Sequence, residues 1–290
     1  MTELACILDA KAALGECPVW CGEEKVLYWV DISNRAIHRL DPATGENRTW
    51  TFPDVVGSFA LRERGGLIVA IGAGLYSVDL ETMAMETIAE AISDRAQTRL
   101  NDGKCDPAGR FWVGAMDLQK SRRIAALYRV DRDRGHHKMV DNLIISNGLA
   151  WSPDGRIMYH SDSRQNTIWA YDFDLASGEP GNRRVFARVD PKEGRPDGAA
   201  VDAEGFYWSA GVGGGRLTRY GPDGKVDRVI KLPVTFPSMC AFGGENLDVL
   251  YVTSIREMLT EAALMEEPLA GGVFAIDPGV KGLPEPRYGG

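Results

Sequence analysis

The feature that most constrains the fold of this chain is a strand-rich unit that recurs along its length. Each copy reads as a strand, an Asp/Gly or Glu/Gly turn, an apolar and aromatic strand, and a further strand of the pattern xLYxVD. The copies begin near Gly15, Gly57, Asn101, Asn147, Asp197 and Ser238. Spacings of roughly 40 to 50 residues match the length of a four-stranded propeller blade. We therefore predict an all-β fold, a six-bladed β-propeller with four-stranded antiparallel blades around a central channel.

Turn residues support this interpretation. Glycine follows Pro-Asp, Pro-Ala or Ala-Glu where a tight turn needs a positive φ, at Gly109, Gly155, Gly205 and Gly224. The stretch Leu4 to Asp9 precedes the first copy and is predicted to supply the outer strand of the last blade. That pairing would close the ring and remove exposed sheet edges; an open array of sheets is the alternative. Only the stretch from about Thr82 to Arg95 reads as a short helix or an irregular segment. Residues 1–290 are taken as a single propeller domain.

Composition narrows the possible partners and compartment. The net charge of −8 argues against a nucleic-acid or anionic-membrane partner, because both require a concentrated positive field. The five cysteines form neither a disulfide framework nor a zinc-finger spacing. We find no signal-peptide h-region and no apolar run long enough for a membrane span. We therefore expect a cytoplasmic location, and nothing in the sequence fixes the number of subunits.

The innermost strand of each blade lines the channel, so equivalent positions in the six copies should face one another. Those positions hold Glu16, Gly57 or Ser58, Asn101, Asn147, Asp197, and Ser238 or Met239. Taken singly, an Asn-Gly or Asp-Gly pair is usually a turn. Recurring at the blade period, the Glu, Asn and Asp oxygens instead indicate a site for a hard divalent cation, which would offset the cost of buried carboxylates. No histidine falls at a channel position, which disfavours a histidine-based zinc site.

Five motifs then carry a family resemblance. They are GECPVW (15–20), RLNDGKCDPAGRFWVGAM (99–116), ISNGLAWSPDG (145–155), RPDGAAVDAEG (195–205) and AGGVFAI (270–276). With them the whole chain resembles the SMP-30/gluconolactonase family, which includes regucalcin, aldonolactonases and the luciferin-regenerating enzyme. The resemblance implies a metal-dependent hydrolase that opens a small-molecule sugar lactone to an aldonic acid.

The resemblance also implies roles for individual residues. One divalent cation would be held by Glu16, Asn147 and Asp197. Ca²⁺ is the first expectation, with Zn²⁺, Mg²⁺, Mn²⁺ and Fe²⁺ as alternatives. Arg99 and Asn101 would contact the substrate, and Asp197 would act as general base on a water while the metal serves as Lewis acid.

One segment departs from the family pattern. Several lactonases of the family place an acidic residue near the substrate in a loop over the channel. Here the segment from Asp117 to Ile124 is short and basic. Arg122 or Arg123 could meet a substrate carboxylate, or the loop could simply be solvated.

Other functions remain open at this point. A non-catalytic calcium-binding regulator of the regucalcin type would bind calcium without turning over any lactone. An esterase or organophosphate hydrolase on the same fold would differ only in its substrate. A propeller used purely for protein docking is disfavoured, because it would not need the polar set in the channel.

Overall fold

A computed structural model describes residues 4–290 and shows six separate four-stranded antiparallel sheets. Blade 1 consists of β2 (Gly15–Cys21), β3 (Val26–Asp31), β4 (Ala36–Leu40) and β5 (Asn47–Thr51). Blade 2 consists of β6 (Val56–Leu61), β7 (Leu67–Ile71), β8 (Gly74–Val78) and β9 (Met85–Ala89). Blade 3 consists of β10 (Thr98–Cys105), β11 (Phe111–Asp117), β12 (Ala125–Val130) and β13 (His136–Leu143).

The remaining blades follow in chain order. Blade 4 consists of β14 (Ser146–Trp151), β15 (Ile157–Asp162), β16 (Thr167–Asp174) and β17 (Glu179–Arg188). Blade 5 consists of β18 (Arg195–Val201), β19 (Tyr207–Val212), β20 (Arg216–Tyr220) and β21 (Val226–Lys231). Blade 6 consists of β22 (Pro237–Gly243), β23 (Val249–Ser254), β24 (Val273–Ile276) and β1 (Leu4–Leu8). Two short 3₁₀ helices, Ser163–Gln165 and Pro191–Glu193, lie beside blades 4 and 5.

The ring closes through the two ends of the described chain, as predicted. Strand β1 pairs antiparallel with β24, with Leu4 opposite Ile276. Each first strand contacts the first strand of the next blade, and β22 of the last blade contacts β2 of the first. The six-bladed propeller is therefore confirmed, and the open array is excluded.

The expectation of a helix or irregular segment between about Thr82 and Arg95 is correct only for residues 82–84 and 90–95, which are irregular. That stretch contains β9, whose residues Met85 and Ala89 lie opposite Val78 and Leu75 of β8. Strand β9 is the outermost and largely exposed strand of its blade, so its apolar pattern carries little information on secondary structure. The one α-helix of residues 4–290 is instead α1 (Glu261–Glu266), between β23 and β24 and capped by the Thr260 side chain.

The turns between first and second strands are built as the glycine pattern predicts. Gly109, Gly155 and Gly205 have φ values of 79°, 67° and 86°. In blade 3 the buried Asp106 carboxylate accepts hydrogen bonds from the Arg110 backbone and from the Trp112 indole, at 3.1 and 2.9 Å. Asp202 holds Phe206 and Trp208 of blade 5 in the same way. One buried carboxylate thus fixes both the turn and a core tryptophan, which explains why this unit repeats.

The two ends of the channel differ. Beyond β24 the chain runs across the end where the first strands finish. Gly282 bridges to Asp202, the Tyr288 backbone donates to Leu61, and Lys104 pairs with Glu285 at 3.3 Å. The end where the first strands begin is ringed by the loops that follow the second strands and by the connections between consecutive blades. Access to the channel is therefore from that end, which we call the mouth.

Two of the chain-wide expectations can be compared with the structure. All five cysteines are free, as their spacing predicts. No helix among residues 4–290 combines the length and the apolar character needed to cross a bilayer.

Close approach of the first strands yields a stability prediction. A Cβ on Gly57 of β6 would lie 2.5 Å from the Leu100 carbonyl oxygen of β10, and backbone cannot move aside cheaply. Gly57→Ala should therefore lower the free energy of unfolding by about 1 to 3 kcal/mol, measured by chemical denaturation. Gly181→Ala is the control, because nothing lies within 4 Å of its added Cβ. Equal stability of the two variants would contradict the tight packing described here.

Candidate active site in the channel

Every first strand carries a register shift at its channel position. The shifts fall between Glu16 and Val19, Val56 and Ser58, Leu100 and Gly103, Asn147 and Ala150, Pro196 and Ala199, and Pro237 and Cys240. A β-bulge bends its strand and redirects the neighbouring side chains. The same local irregularity therefore marks the channel position of every blade.

The backbone around Asn147 shows why glycine follows it. Gly148 has a φ of 66°, a left-handed conformation that glycine adopts at no steric cost. A Cβ there would lie 2.5 Å from the Tyr207 hydroxyl and 2.6 Å from Ser161 Oγ. The Tyr207 hydroxyl itself donates to the Gly148 carbonyl at 2.8 Å. The Asn-Gly pair is thus part of a tightly packed bulge rather than a solvent-exposed turn.

The structure buries all three predicted metal ligands on first strands of different blades. Glu16 lies on β2, Asn147 on β14 and Asp197 on β18, with 9%, 4% and 8% of their surface exposed. Glu16 and Asp197 are close enough that the charge of Asp197 raises the pKa of Glu16. Sequence positions far apart therefore meet in one buried carboxylate site.

A chain of hydrogen bonds links blades 3, 4 and 5 at this site. An Nη1 of Arg99 donates to Asn101 Oδ1 at 2.9 Å, and Asn101 Nδ2 donates to Asn147 Oδ1 at 2.8 Å. Asn147 Nδ2 then donates to Ser163 Oγ at 2.8 Å, and Ser163 donates to the Pro196 carbonyl at 2.7 Å. The chain fixes the Asn147 carboxamide and ends on the residue preceding Asp197.

These contacts sharpen the expectation for Arg99 and Asn101. Both Asn101 N–H groups are used within the protein, since they also reach the Ser146 carbonyl at 3.1 Å. Only acceptor capacity on Asn101 Oδ1 is left for another molecule. Arg99 is partly buried, and burial lowers the pKa of its guanidinium to about 10, so it stays charged at neutral pH.

The two carboxylates have unusual proton affinities. Burial raises the pKa of Asp197 to about 8, with a further contribution from the charge of Asp102, while Arg99, Arg195 and Lys120 act in the opposite direction. Burial is also the main reason why the pKa of Glu16 is raised well above its usual range. Without a further positive charge, the channel thus disfavours ionisation of both acids.

The donor set fits a divalent metal ion. Two carboxylates and one carboxamide offer only oxygen ligands, the type that hard cations prefer. Their unmet negative charge in a buried channel is what a divalent cation would neutralise. Within residues 4–290 no three His, Cys, Asp or Glu side chains cluster in a way that suits a metal, so the carboxamide of Asn147 is essential to this set.

Three residues of the site were missed from the sequence. Ser163 bonds Asn147 as described, and Asp102 Oδ2 accepts from the Leu149 backbone at 3.2 Å, tying β10 to β14. Glu257 follows β23 at the mouth, and its charge acts on Arg99. Asp102 sits next to a predicted channel residue and could have been suspected. Ser163 and Glu257 follow second strands, where the repeat carries no signal.

The other predicted channel positions do not contribute ligands. Ser238 Oγ donates to the Gly15 carbonyl, so its hydroxyl joins blades 6 and 1. Met239 packs in the apolar cluster that includes Val19 and Phe59. The four histidines lie on β4, β13 and β15, none of which is a first strand, as expected.

The basic segment after Met116 is a closed loop. The buried Asp117 carboxylate accepts from the backbone N–H groups of Gln119, Ser121 and Arg122. It also pairs with the Arg122 guanidinium at 2.7 Å, and Arg122 donates to Gln97 at 2.9 Å. The expectation that Arg122 could meet a substrate is therefore not supported, because its donors are already engaged.

Comparisons with known proteins agree with this architecture. The SMP-30/gluconolactonase/LRE-like family model matches residues 14–256. The chain is 44% identical to a 6-deoxy-6-sulfogluconolactonase of Pseudomonas putida over 99% of both chains, and 37% identical to regucalcin of Gallus gallus over 99% of both. The solved structure of a calcium-binding regucalcin from Agrobacterium tumefaciens superposes with a TM-score of 0.94 at 30% identity, covering 98% of this chain and 96% of that one. This chain belongs to the SMP-30/gluconolactonase/LRE-like family.

The raised pKa of Asp197 predicts how stability depends on pH in metal-free buffer. Above pH 4 the unfolded chain has released this proton, whereas the folded protein keeps it until about pH 8. Stability should therefore fall as the pH rises from about 5 to 8, by on the order of 3 kcal/mol. Asp197→Asn should flatten this slope.

The measurement is chemical denaturation in EDTA at several pH values. Asp141→Asn on the outer strand β13, where the side chain is exposed, is the matched control and should keep the wild-type slope. An unchanged slope in Asp197→Asn would show that this carboxylate is not the group that resists ionisation.

Proposed function

We propose that this protein is a metal-dependent hydrolase that opens sugar-acid lactones to aldonic acids. The observation that carries the proposal is the convergence of Glu16, Asn147 and Asp197, each from a different blade, at the accessible end of a channel. Membership of the family and 44% identity over nearly the full chain to a sugar lactonase support the same reaction class.

Glu16, Asn147 and Asp197 would hold the cation. Asn147 Oδ1 accepts one hydrogen bond from Asn101 and keeps a second lone pair for a metal. We expect Ca²⁺ first, with Mg²⁺, Mn²⁺, Fe²⁺ and Zn²⁺ as alternatives. When bound, a divalent cation polarises a carbonyl oxygen and stabilises the negative charge that develops on it.

Asp197 is the proposed general base. Its carboxylate is buried at the site, and burial raises its pKa. The carboxylate can therefore accept a proton from a water molecule in the channel. As the water oxygen bonds to the lactone carbonyl carbon, Asp197 takes its proton. The bond from that carbon to the ring oxygen breaks, and the ring oxygen acquires a proton to give the open-chain hydroxy acid.

Arg99 and Asn101 are proposed to orient the substrate. The Arg99 guanidinium has donors beyond the Nη1 atom that bonds Asn101 and Leu100, and these can meet the lactone carbonyl or a sugar hydroxyl. Asn101 Oδ1 can accept from a sugar hydroxyl. Arg99 and Asn101 would thus hold the lactone carbonyl carbon close to the water molecule that Asp197 activates. Attack by that water then becomes an effectively unimolecular step.

The substrate is proposed to be a six-carbon aldonolactone. Gluconolactone and its 6-deoxy-6-sulfo derivative are the first candidates, the second because of the name of the 44% identical relative. The cytoplasmic location stays a prediction.

Removing the base should abolish turnover without unfolding the protein. Asp197→Asn keeps the shape of the side chain but cannot take a proton, so kcat for lactone hydrolysis should fall about 10²- to 10⁴-fold. A pH-drop assay on gluconolactone measures it, with circular dichroism as the check on folding. Asp197→Asn with wild-type turnover would refute the assignment. Calcium binding by a wild type that hydrolyses no lactone or ester would favour a regulator instead.

Metal dependence can be tested together with the hydrogen-bond chain. EDTA should stop hydrolysis, and readdition of a divalent metal should restore it. Ser163→Ala removes the group that orients Asn147, so metal affinity should fall about 10- to 100-fold. Isothermal titration with Ca²⁺ measures that affinity independently of turnover.

Ser177→Ala is the matched control for Ser163→Ala, because Ser177 bonds only an exposed aspartate far from the channel. Full activity after exhaustive chelation would contradict a metal-dependent reaction. An unchanged affinity in Ser163→Ala would contradict the positioning role.

A further inference from the structure

The mouth of the channel is lined by a distinct set of loops. First strands begin there and second strands end there, since Thr98 and Arg99 of β10 lie opposite Asp117 and Met116 of β11. The loop that follows β11, residues 118–124, therefore stands at the same end as the start of β18. The other end of the channel is crossed by the chain beyond β24. A substrate whose carbonyl reaches Asp197 must extend outward past these loops.

Arg195 and Arg99 occupy equivalent positions at this mouth. Each stands two residues before the channel residue of its strand, Arg195 before Asp197 and Arg99 before Asn101. Both arginines lie ahead of the bulge of their strand, where the ladder is regular: Arg195 is opposite Val212, and Arg99 is opposite Met116. Arg99 is partly buried and bonded to Asn101. Arg195 is exposed, and its guanidinium has no ion pair or hydrogen bond within residues 4–290.

Lys120 is the second free cation of the mouth. Its backbone is held by the hydrogen bond from its N–H to the Asp117 carbonyl at 2.9 Å, in a left-handed conformation with a φ of 54°. The Asp117 carboxylate fixes the rest of the loop and occupies Arg122. The Lys120 ammonium is exposed and unpaired among the residues from 4 to 290. The loop backbone is thus fixed by its own hydrogen bonds, and the Lys120 ammonium is available to bind another molecule.

Both cations are near the reacting centre. The charges of Arg195 and Lys120 act on Asp197 in the same sense as that of Arg99. These positive charges lie at the mouth although the whole chain has a net charge of −8. The acid Glu257, which follows β23 at the mouth, acts on Arg99. Among the exposed cations at this end without a partner in residues 4–290, Arg195 and Lys120 are the two whose charges act on Asp197.

We propose that Arg195 and Lys120 form an anion subsite that binds a sulfonate or phosphate group at the end of an aldonolactone far from its carbonyl. This inference rests on the proposed function, because the lactone carbonyl must lie at Asp197. Guanidinium and ammonium donors make strong charge-assisted hydrogen bonds to tetrahedral oxyanions. The subsite selects lactones with a terminal anion over neutral ones, and an exposed pair of this kind is weakened by salt.

The test compares three lactones at equal metal loading: D-glucono-1,5-lactone, its 6-phosphate and its 6-deoxy-6-sulfo derivative. Arg195→Gln and Lys120→Gln should each lower kcat/KM for the anionic lactones about 10-fold, and the double variant about 100-fold. Hydrolysis of the neutral lactone should fall far less, because it offers no anion to either side chain and each substitution then changes only the charge that acts on Asp197. Arg123→Gln, an exposed arginine of the same loop, is the control and should leave all three rates unchanged.

Comparing the 6-phosphate with the 6-deoxy-6-sulfo lactone shows whether the subsite prefers a phosphate or a sulfonate group. Raising the salt concentration should increase KM for these two lactones and not for the neutral one. Equal losses on charged and neutral lactones, or no loss in the double variant, would overturn the subsite. Isothermal titration with 6-phosphogluconate and with gluconate gives a readout independent of turnover. If no lactone is hydrolysed, the proposed function fails, and these titrations alone decide whether Arg195 and Lys120 bind a terminal anion.

Discussion

Two carboxylates buried together in one channel are the constraint on which the rest of this structure depends. Glu16 and Asp197 come from blades 1 and 5, and burial together with their mutual repulsion raises the pKa of Glu16 well above its usual range. Burying two ionised carboxylates together destabilises the folded protein unless a positive charge lies between them. Arg99 supplies part of that charge, and the proposed cation would supply the rest.

The hydrogen-bond chain from Arg99 to Pro196 shows how neighbouring blades position the side chains of the site together. Two of its bonds cross between blades, one from Asn101 to Asn147 and one from Ser163 to Pro196, so no single sheet defines the orientation of the Asn147 carboxamide. The bulges at the channel positions redirect the side chains, and the inter-blade bonds then fix their rotation. Precision in the site therefore comes from bonds between blades, while the proposed anion subsite lies at the mouth, on the start of β18 and the loop after β11.

The repeat in the sequence predicts the fold well because the first strands and their turns have strong physical requirements. Asp106 and Asp202 need a glycine turn and a tryptophan at fixed distances, and blades 3 and 5 both keep this arrangement. Outer strands such as β9 are exposed and impose no such pattern, so Met85–Ala89 was expected to be helical or irregular.

The same reasoning explains which parts of the site could be predicted. Glu16, Asn147 and Asp197 occur at the repeat period, so their convergence follows from the fold. Ser163 and Glu257 act from segments that follow second strands, where spacing differs from blade to blade. Their partners are known only once the blades are placed side by side. The engagement of Arg122 by Asp117 was likewise hidden, because a basic loop looks the same whether or not its arginines are paired.

Closure of blade 6 by strand β1 has a consequence for how the molecule is made. Leu4 pairs with Ile276, a contact of very high sequence separation, and such contacts form slowly because a long loop must be closed first. Blades 1 to 5 can each form from a continuous stretch of chain as it leaves the ribosome, but the ring stays open until nearly the whole chain has been synthesised. Glu16 thus reaches its final place opposite Asp197 late in folding, and a cation that needs both carboxylates would bind only the finished ring.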